Sequence, residues 1–306
     1  MIKKILFIGY GSITIKHINI IKKKFKSEIF IISRHFKGNK NLIKISLKNA
    51  LSLKFDYCFI CTASTERLKY LKLFEGKCKS FFLEKPICNN YKKAKNILNK
   101  LKLKKNLYIG YVFRNNRMIN SIKKLIHQKK LGEIKGVQII SRSFMPSWRN
   151  NIKYKDSVSS QKAKGGGVLL ELSHEIDLLF YFFKNISLHS GNTYNSKNLN
   201  IDVEDRADAI FLINNKLPVN LLLNFSSYMS ERRMIINGSR SVIDINLNSN
   251  IYYIFSNNKK KKYIFKNENK KMFERQIVNY FNNNFSNNLA RDSFKVLKII
   301  DEIKKN

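Results

Sequence analysis

The run Ile5-Leu6-Phe7-Ile8, closing on Gly9-Tyr10-Gly11, limits what this chain can become more than any other stretch. Four consecutive apolar residues before a glycine turn read as a strand buried on both faces, and the segment through His17, Ile20 and Ile21 reads as a helix. Strand, tight turn and helix in that order open a parallel α/β sheet. The first glycine makes the bend, the second lets backbone approach a pyrophosphate, and the helix N-terminus offers positive dipole to phosphates. Gly9, Tyr10, Gly11, Ser12 and Ile13 are therefore candidate dinucleotide contacts. Thr14 stands where a third glycine is usual, which puts close packing of helix on strand in doubt.

The following strands extend the pattern. Ile29-Phe30-Ile31-Ile32 ends at Ser33-Arg34, with no carboxylate at the edge where NAD-binding chains usually present one to the ribose. A hydroxyl and a guanidinium suit a 2′-phosphate, so NADP(H) is preferred over NAD(H). The strand through Tyr57 and Ile60 leads into Thr62, Ala63 and Ser64, expected on the nicotinamide side, and Phe81-Phe82-Leu83 delivers Glu84-Lys85-Pro86 to the same sheet edge. A lysine placed there can hydrogen-bond a substrate hydroxyl and stabilise developing negative charge. After Leu107–Phe113 and Arg114 a second unit begins. The expected division is residues 1–115 and residues 116–306.

In the second part, strands are expected at 137–141, 207–213, 219–225, 233–237 and 241–247, in a mixed or antiparallel sheet. Residues 257–262 read as a solvated lysine-rich hairpin tip. Helices are expected at 90–102, 271–281 and 289–303.

With 306 residues and 43% hydrophobic composition, the chain has ample material for two packed domains. Its formal charge of +38 would suggest nucleic acid, but only 12 of 59 basic residues are arginine, the residue that pairs bidentately with phosphate and guanine. Lys, Asn, Ile, Phe and Tyr share A/T-rich codons, which accounts for the lysines without a nucleic-acid partner. Cys58 and Cys61 fall on one strand an odd number apart, so their thiols diverge and, with Cys78 and Cys88, read as inert. No metal site is expected. The initial apolar run is too short for a signal peptide or membrane span, which makes the cytoplasm the expected location.

Gly165-Gly166-Gly167 precedes an apolar helical run carrying Glu171, His174 and Asp177, three residues apart along one side. A histidine with carboxylates one turn away suits general acid–base chemistry near neutral pH. Its acid partner is open between Glu171 and Asp177.

With Gly9-Tyr10-Gly11, Glu84-Lys85-Pro86, Arg114 and the 165–177 stretch in place, the whole chain resembles the Gfo/Idh/MocA oxidoreductases. The resemblance implies an α/β protein, a doubly wound Rossmann domain followed by an α/β domain with an open sheet that assembles homodimers or tetramers. It implies NAD(P)-dependent hydride transfer on a sugar or nucleotide sugar. His174 would exchange a proton with the reacting hydroxyl, Lys85 would polarise the same oxygen, and Glu84 and Arg114 would lie at the cofactor. The family commonly has an Asp four residues before the histidine, where this chain has Glu171 at three. The segment with Trp148, Arg149, Tyr154 and Lys155 resembles a subgroup of surface-polysaccharide and sialic-acid-like sugar pathways, in which an arginine usually replaces Lys155, and implies contacts with the sugar. A non-catalytic relative that binds nucleotide or sugar is the alternative.

Overall fold

The computed structural model of the chain describes residues 2–100, 106–149, 152–285 and 290–305. Its backbone divides into two compact units, Met1–Val112 with Phe273–Phe294, and Phe113–Met272 with Lys295–Asn306.

The first unit begins β1 (Lys3–Ile8), α1 (Ser12–Lys24), β2 (Ser27–Ile32), β3 (Ile43–Lys44) and α2 (Leu47–Leu51). It continues β4 (Phe55–Ile60), α3 (Arg67–Leu73), β5 (Cys78–Leu83), α4 (Tyr91–Lys100) and β6 (Leu107–Ile109). The strands lie in the order β3-β2-β1-β4-β5-β6, every neighbouring pair parallel. This is the doubly wound order, which leaves a crevice at the carboxyl ends of β1 and β4. Ile5 to Ile8 and Phe81 to Leu83 are at most 1% exposed, as strands covered on both faces require. Rings of Phe7, Phe59, Phe82 and Tyr108 stack across successive strands, and Tyr280 meets Phe59, Phe82 and Tyr108 edge-on. Ile277, Tyr280, Phe281 and Phe285 complete that core, which is why the 273–294 segment belongs with this sheet.

The second unit starts with α5 (Arg117–His127), β7 (Ile134–Phe144), α6 (Val168–Glu171) and α7 (Ser173–Phe182). Then follow β8 (Ile186–Tyr194), β9 (Arg206–Ile213), β10 (Leu217–Asn224), β11 (Ser226–Gly238), β12 (Val242–Asn246), β13 (Ile251–Ser256) and β14 (Lys259–Ile264). Its eight-stranded sheet runs β14-β13-β12-β11-β7-β10-β9-β8, with β7 and β10 parallel and the other pairs antiparallel. The expected mixed sheet is present, with β8 and β13 in addition. The lysine run is not a solvated tip: Lys259 to Lys262 form an edge strand paired with β13, and the turn is confined to Asn257 and Asn258, both at positive φ. Lysines on an edge strand discourage pairing with another sheet.

Two further helices, α8 (Glu268–Phe281) and α9 (Ala290–Ile303), each run from one unit's residues into the other's. Leu101 and Lys102 of the helix expected at 90–102, and Leu289 of the one expected at 289–303, lie outside the described residues. No helix among the described residues is long and apolar enough to cross a membrane.

Candidate active site

In the first unit, the turn after β1 is shaped by its neighbour. Gly9 has φ of 97°, and a Cβ there would stand 2.8 Å from the Cys61 carbonyl oxygen, so only glycine fits between the β1 and β4 turns. Gly11 differs, since nothing lies within 4 Å of its would-be Cβ. It starts α1, a helix with no side-chain cap and no acidic residue in its first turn. Exposed Gly11 and Ser12 with half-buried Ile13 thus present a positive helix end to solvent. Thr14 resolves the doubt about the missing glycine: it is fully buried, and its hydroxyl donates to the Gly9 carbonyl at 3.2 Å, tying helix to turn. Tyr10 packs on Phe36, with ring centroids 4.6 Å apart.

Beyond β2, the Ser33 hydroxyl accepts from the His35 amide at 3.1 Å and Arg34 is exposed. Tyr70 lies near enough to Arg34 to feel its charge: burial and Glu66 push the phenol up, and Arg34 pulls it partly back.

Two buried side chains fix the loop that carries Lys85. Arg67, at the start of α3, donates through Nε to the Thr62 carbonyl at 3.0 Å and through Nη1 to the Glu84 carbonyl at 2.9 Å, and also reaches the Pro86 carbonyl. One guanidinium therefore joins the loops after β4 and β5. The Glu84 carboxylate meets His17 Nε2 of α1 at 2.7 Å, with the imidazole fully buried. Lys85 between them is half-buried, followed by a cis bond to Pro86. Ala63 is half-buried and Ser64 buried in the preceding turn. Desolvation, with Glu84 adding to it, pushes the Cys61 thiol up, and all four cysteines are free.

In the second unit, the glycine turn is forced by crowding. Gly167 has φ of 111°, and a Cβ would collide with the Glu204 carboxylate. The helix that follows is two helices and not one: Leu172, at φ −92° and ψ 27°, ends α6 and starts α7, so the helical spacing of Glu171 from His174 does not continue unbroken. Glu171 and His174 are half-buried. The His174 ring meets Phe113 edge-to-face, centroids 5.0 Å apart. Asp177 is fully buried, and its carboxylate is gripped by Arg114: Nε lies 3.1 and 2.9 Å from the two oxygens and Nη2 2.7 Å from Oδ1. Arg114, only 2% exposed, thus has its fork occupied by Asp177.

The expected sugar-contact segment is partly internal. Trp148 donates its indole N–H to Ser143 Oγ at 2.9 Å and sits edge-on to Phe225, and the Tyr154 hydroxyl donates to the Leu199 carbonyl at 2.9 Å. Arg149 and Lys155 are exposed. Sequence reasoning missed His17, Arg67, Phe113, Glu175 and Arg232, of which only His17 carried a signal, as a polar residue on the buried side of α1.

A Rossmann-type unit joined to an α/β unit with a large mixed sheet defines the architectural class. Residues 119–244 match the family model described as the GFO/IDH/MocA C-terminal domain. The whole chain superposes on a 3-ketoreductase from Actinomadura kijaniata, in complex with NADP and TDP-benzene, with a TM-score of 0.84 at 12% identity, covering 99% of this chain and 97% of that one. Levoglucosan dehydrogenase with NADH and levoglucosan gives a TM-score of 0.83 at 14% identity, over 99% and 96%. A super-repressor mutant of Gal80p from Saccharomyces cerevisiae gives 0.81 at 16% identity, over 99% and 95%. The fold is shared with all three. No curated protein matches the chain by sequence.

Proposed function

We propose that the protein is an NAD(P)-dependent oxidoreductase of the Gfo/Idh/MocA family, acting between the hydroxyl and keto forms of a sugar or nucleotide-sugar carbon, in cell-surface polysaccharide biosynthesis. The observation that carries the reading is the tethering of the Lys85 loop at the carboxyl edge of a doubly wound sheet, beside an uncapped helix end, by His17 and Arg67. The residues fit a dinucleotide: open space at Gly11 and the α1 amides suit a pyrophosphate, and Ser33 with Arg34 suits a 2′-phosphate. When bound, the nicotinamide supplies hydride-transfer chemistry.

The chain's own groups do the rest. Lys85 hydrogen-bonds the reacting oxygen and stabilises negative charge on it. His174 takes the hydroxyl proton in oxidation and returns it in reduction. Arg114 holds Asp177 and so fixes the helix turn that follows His174. Glu171 orients the imidazole. Arg149 and Lys155, both exposed, supply charge for phosphates or a carboxylate of the substrate.

A second reading, a non-catalytic relative that binds nucleotide or sugar, is favoured by the absence of an acid after β2. Calorimetric titration with NADPH and NADH tests the cofactor assignment. Saturable binding, tighter for NADPH, is expected; no binding of either rules it out, and tighter NADH binding rules out the Arg34 role.

A further inference from the structure

His174 does not stand alone in its unit. Its ring abuts Phe113 at 5.0 Å with planes 64° apart, and the guanidinium carbon of Arg232, on β11, lies 4.6 Å from the centroid of that same Phe113 ring. Arg232 Nε in turn donates to Glu175 Oε1 at 2.5 Å. Glu175 directly follows His174 in the chain, and its side chain is 1% exposed, against 22% for Arg232. A cation on an aromatic face and an edge-to-face ring contact both constrain the ring they share. A carboxylate so thoroughly removed from water is retained because one cation meets it.

We infer that Phe113, clamped by the Arg232–Glu175 ion pair, is the positioning residue for His174, and that the same pair sets the charge under which His174 changes protonation. This rests on the acid–base role given to His174 above. Other charged groups of this unit are Glu171 on α6, Asp177 paired with Arg114, Lys123 lying over Tyr181, and Glu204 facing Gly167 with Lys304 upon it. Intact, the Arg232–Glu175 pair is nearly neutral to its surroundings. Losing Arg232 leaves net negative charge beside His174 and favours the imidazolium; losing the Glu175 charge leaves Arg232 and disfavours it.

The test needs no substrate. In the full-length protein with isotope-labelled histidine, the His174 signal is assigned by its disappearance in His174→Gln and titrated by NMR. Glu175→Gln should lower the His174 midpoint and Arg232→Met should raise it, each by roughly half a pH unit or more. Arg232→Lys, which keeps the charge, should stay at the wild-type midpoint, and it serves with Glu175→Gln if the Met variant fails to fold. Phe113→Leu should remove the ring-current displacement of the His174 protons. Midpoints that move in the same direction, or not at all, in folded Glu175→Gln and Arg232→Met overturn the inference. Should His174→Ala retain full turnover, the functional reading of His174 fails instead, whatever the titration shows.

Discussion

His17 Nε2 lies 2.7 Å from Glu84 Oε1, and this one contact ties the first helix of the nucleotide-type sheet to the residue preceding Lys85. The imidazole is fully buried and the glutamate side chain 11% exposed, so each is the other's substitute for water.

His17→Leu should therefore leave the Glu84 carboxylate without its partner, lowering unfolding free energy by about 1–3 kcal/mol in urea titrations. It should also reduce kcat by about tenfold through loosened placement of Lys85. An unchanged urea midpoint would show that the contact contributes nothing.

Gly9 and Gly11 should respond oppositely to alanine. At Gly9 the new methyl meets the Cys61 carbonyl at 2.8 Å on a backbone of positive φ, and a loss of about 2 kcal/mol or more is expected. Gly11→Ala has room in the fold, so its melting temperature should hold while NADPH binding weakens. Equal melting losses in both variants would contradict the packing described.

Arg114 and Asp177 form a two-toothed pair almost without exposure to solvent. Removing either charge, in Arg114→Met or Asp177→Asn, strands the other and should cost about 3–5 kcal/mol. The double variant Arg114→Met with Asp177→Asn should recover part of that loss. Additive losses in the double-mutant cycle would indicate that the two side chains act separately.

Alkaline stability follows from buried acids of the first unit. Burial, then neighbouring Cys78, holds the Cys58 thiol well above its ordinary value of 9.0, and burial does the same to the Tyr280 phenol, ordinarily 10.0. Folded-state values above unfolded ones mean that the protons stabilise the fold fully below about pH 9, and that this stabilisation drains away as pH rises further, because the unfolded chain loses them first. The urea midpoint should fall between about pH 8 and pH 10.5. In the native protein at about pH 8, Cys58 should resist alkylation until the chain unfolds. A midpoint that rises with pH over this range would refute the account.

Much of the first unit was legible because its strands are uninterrupted apolar runs ending in glycines or charged loops, as at Ile5–Ile8 and Phe81–Leu83. Thr14 was legible as an anomaly but not as a solution, since its bond to Gly9 depends on a backbone turn that only the fold creates. The stretch 271–281 reads as an ordinary helix; nothing local says that Tyr280 and Phe281 cover the sheet of Phe59 and Phe82. Edge strands β8 and β14 escaped because half-exposed or lysine-filled strands lack alternation. Pairs such as His17–Glu84, Arg114–Asp177 and Glu175–Arg232 join residues far apart in the chain, beyond the reach of periodicity.

The central claim is tested most directly by following nicotinamide absorbance with the full-length protein, NADPH and a panel of keto sugars and nucleotide-linked keto sugars. The account predicts turnover of at least one, lowered by about a hundredfold or more in Lys85→Met and in His174→Ala while both variants remain folded and still bind NADPH. Near-normal turnover in both variants, or cofactor binding with no turnover of any sugar by the wild-type protein, would contradict it.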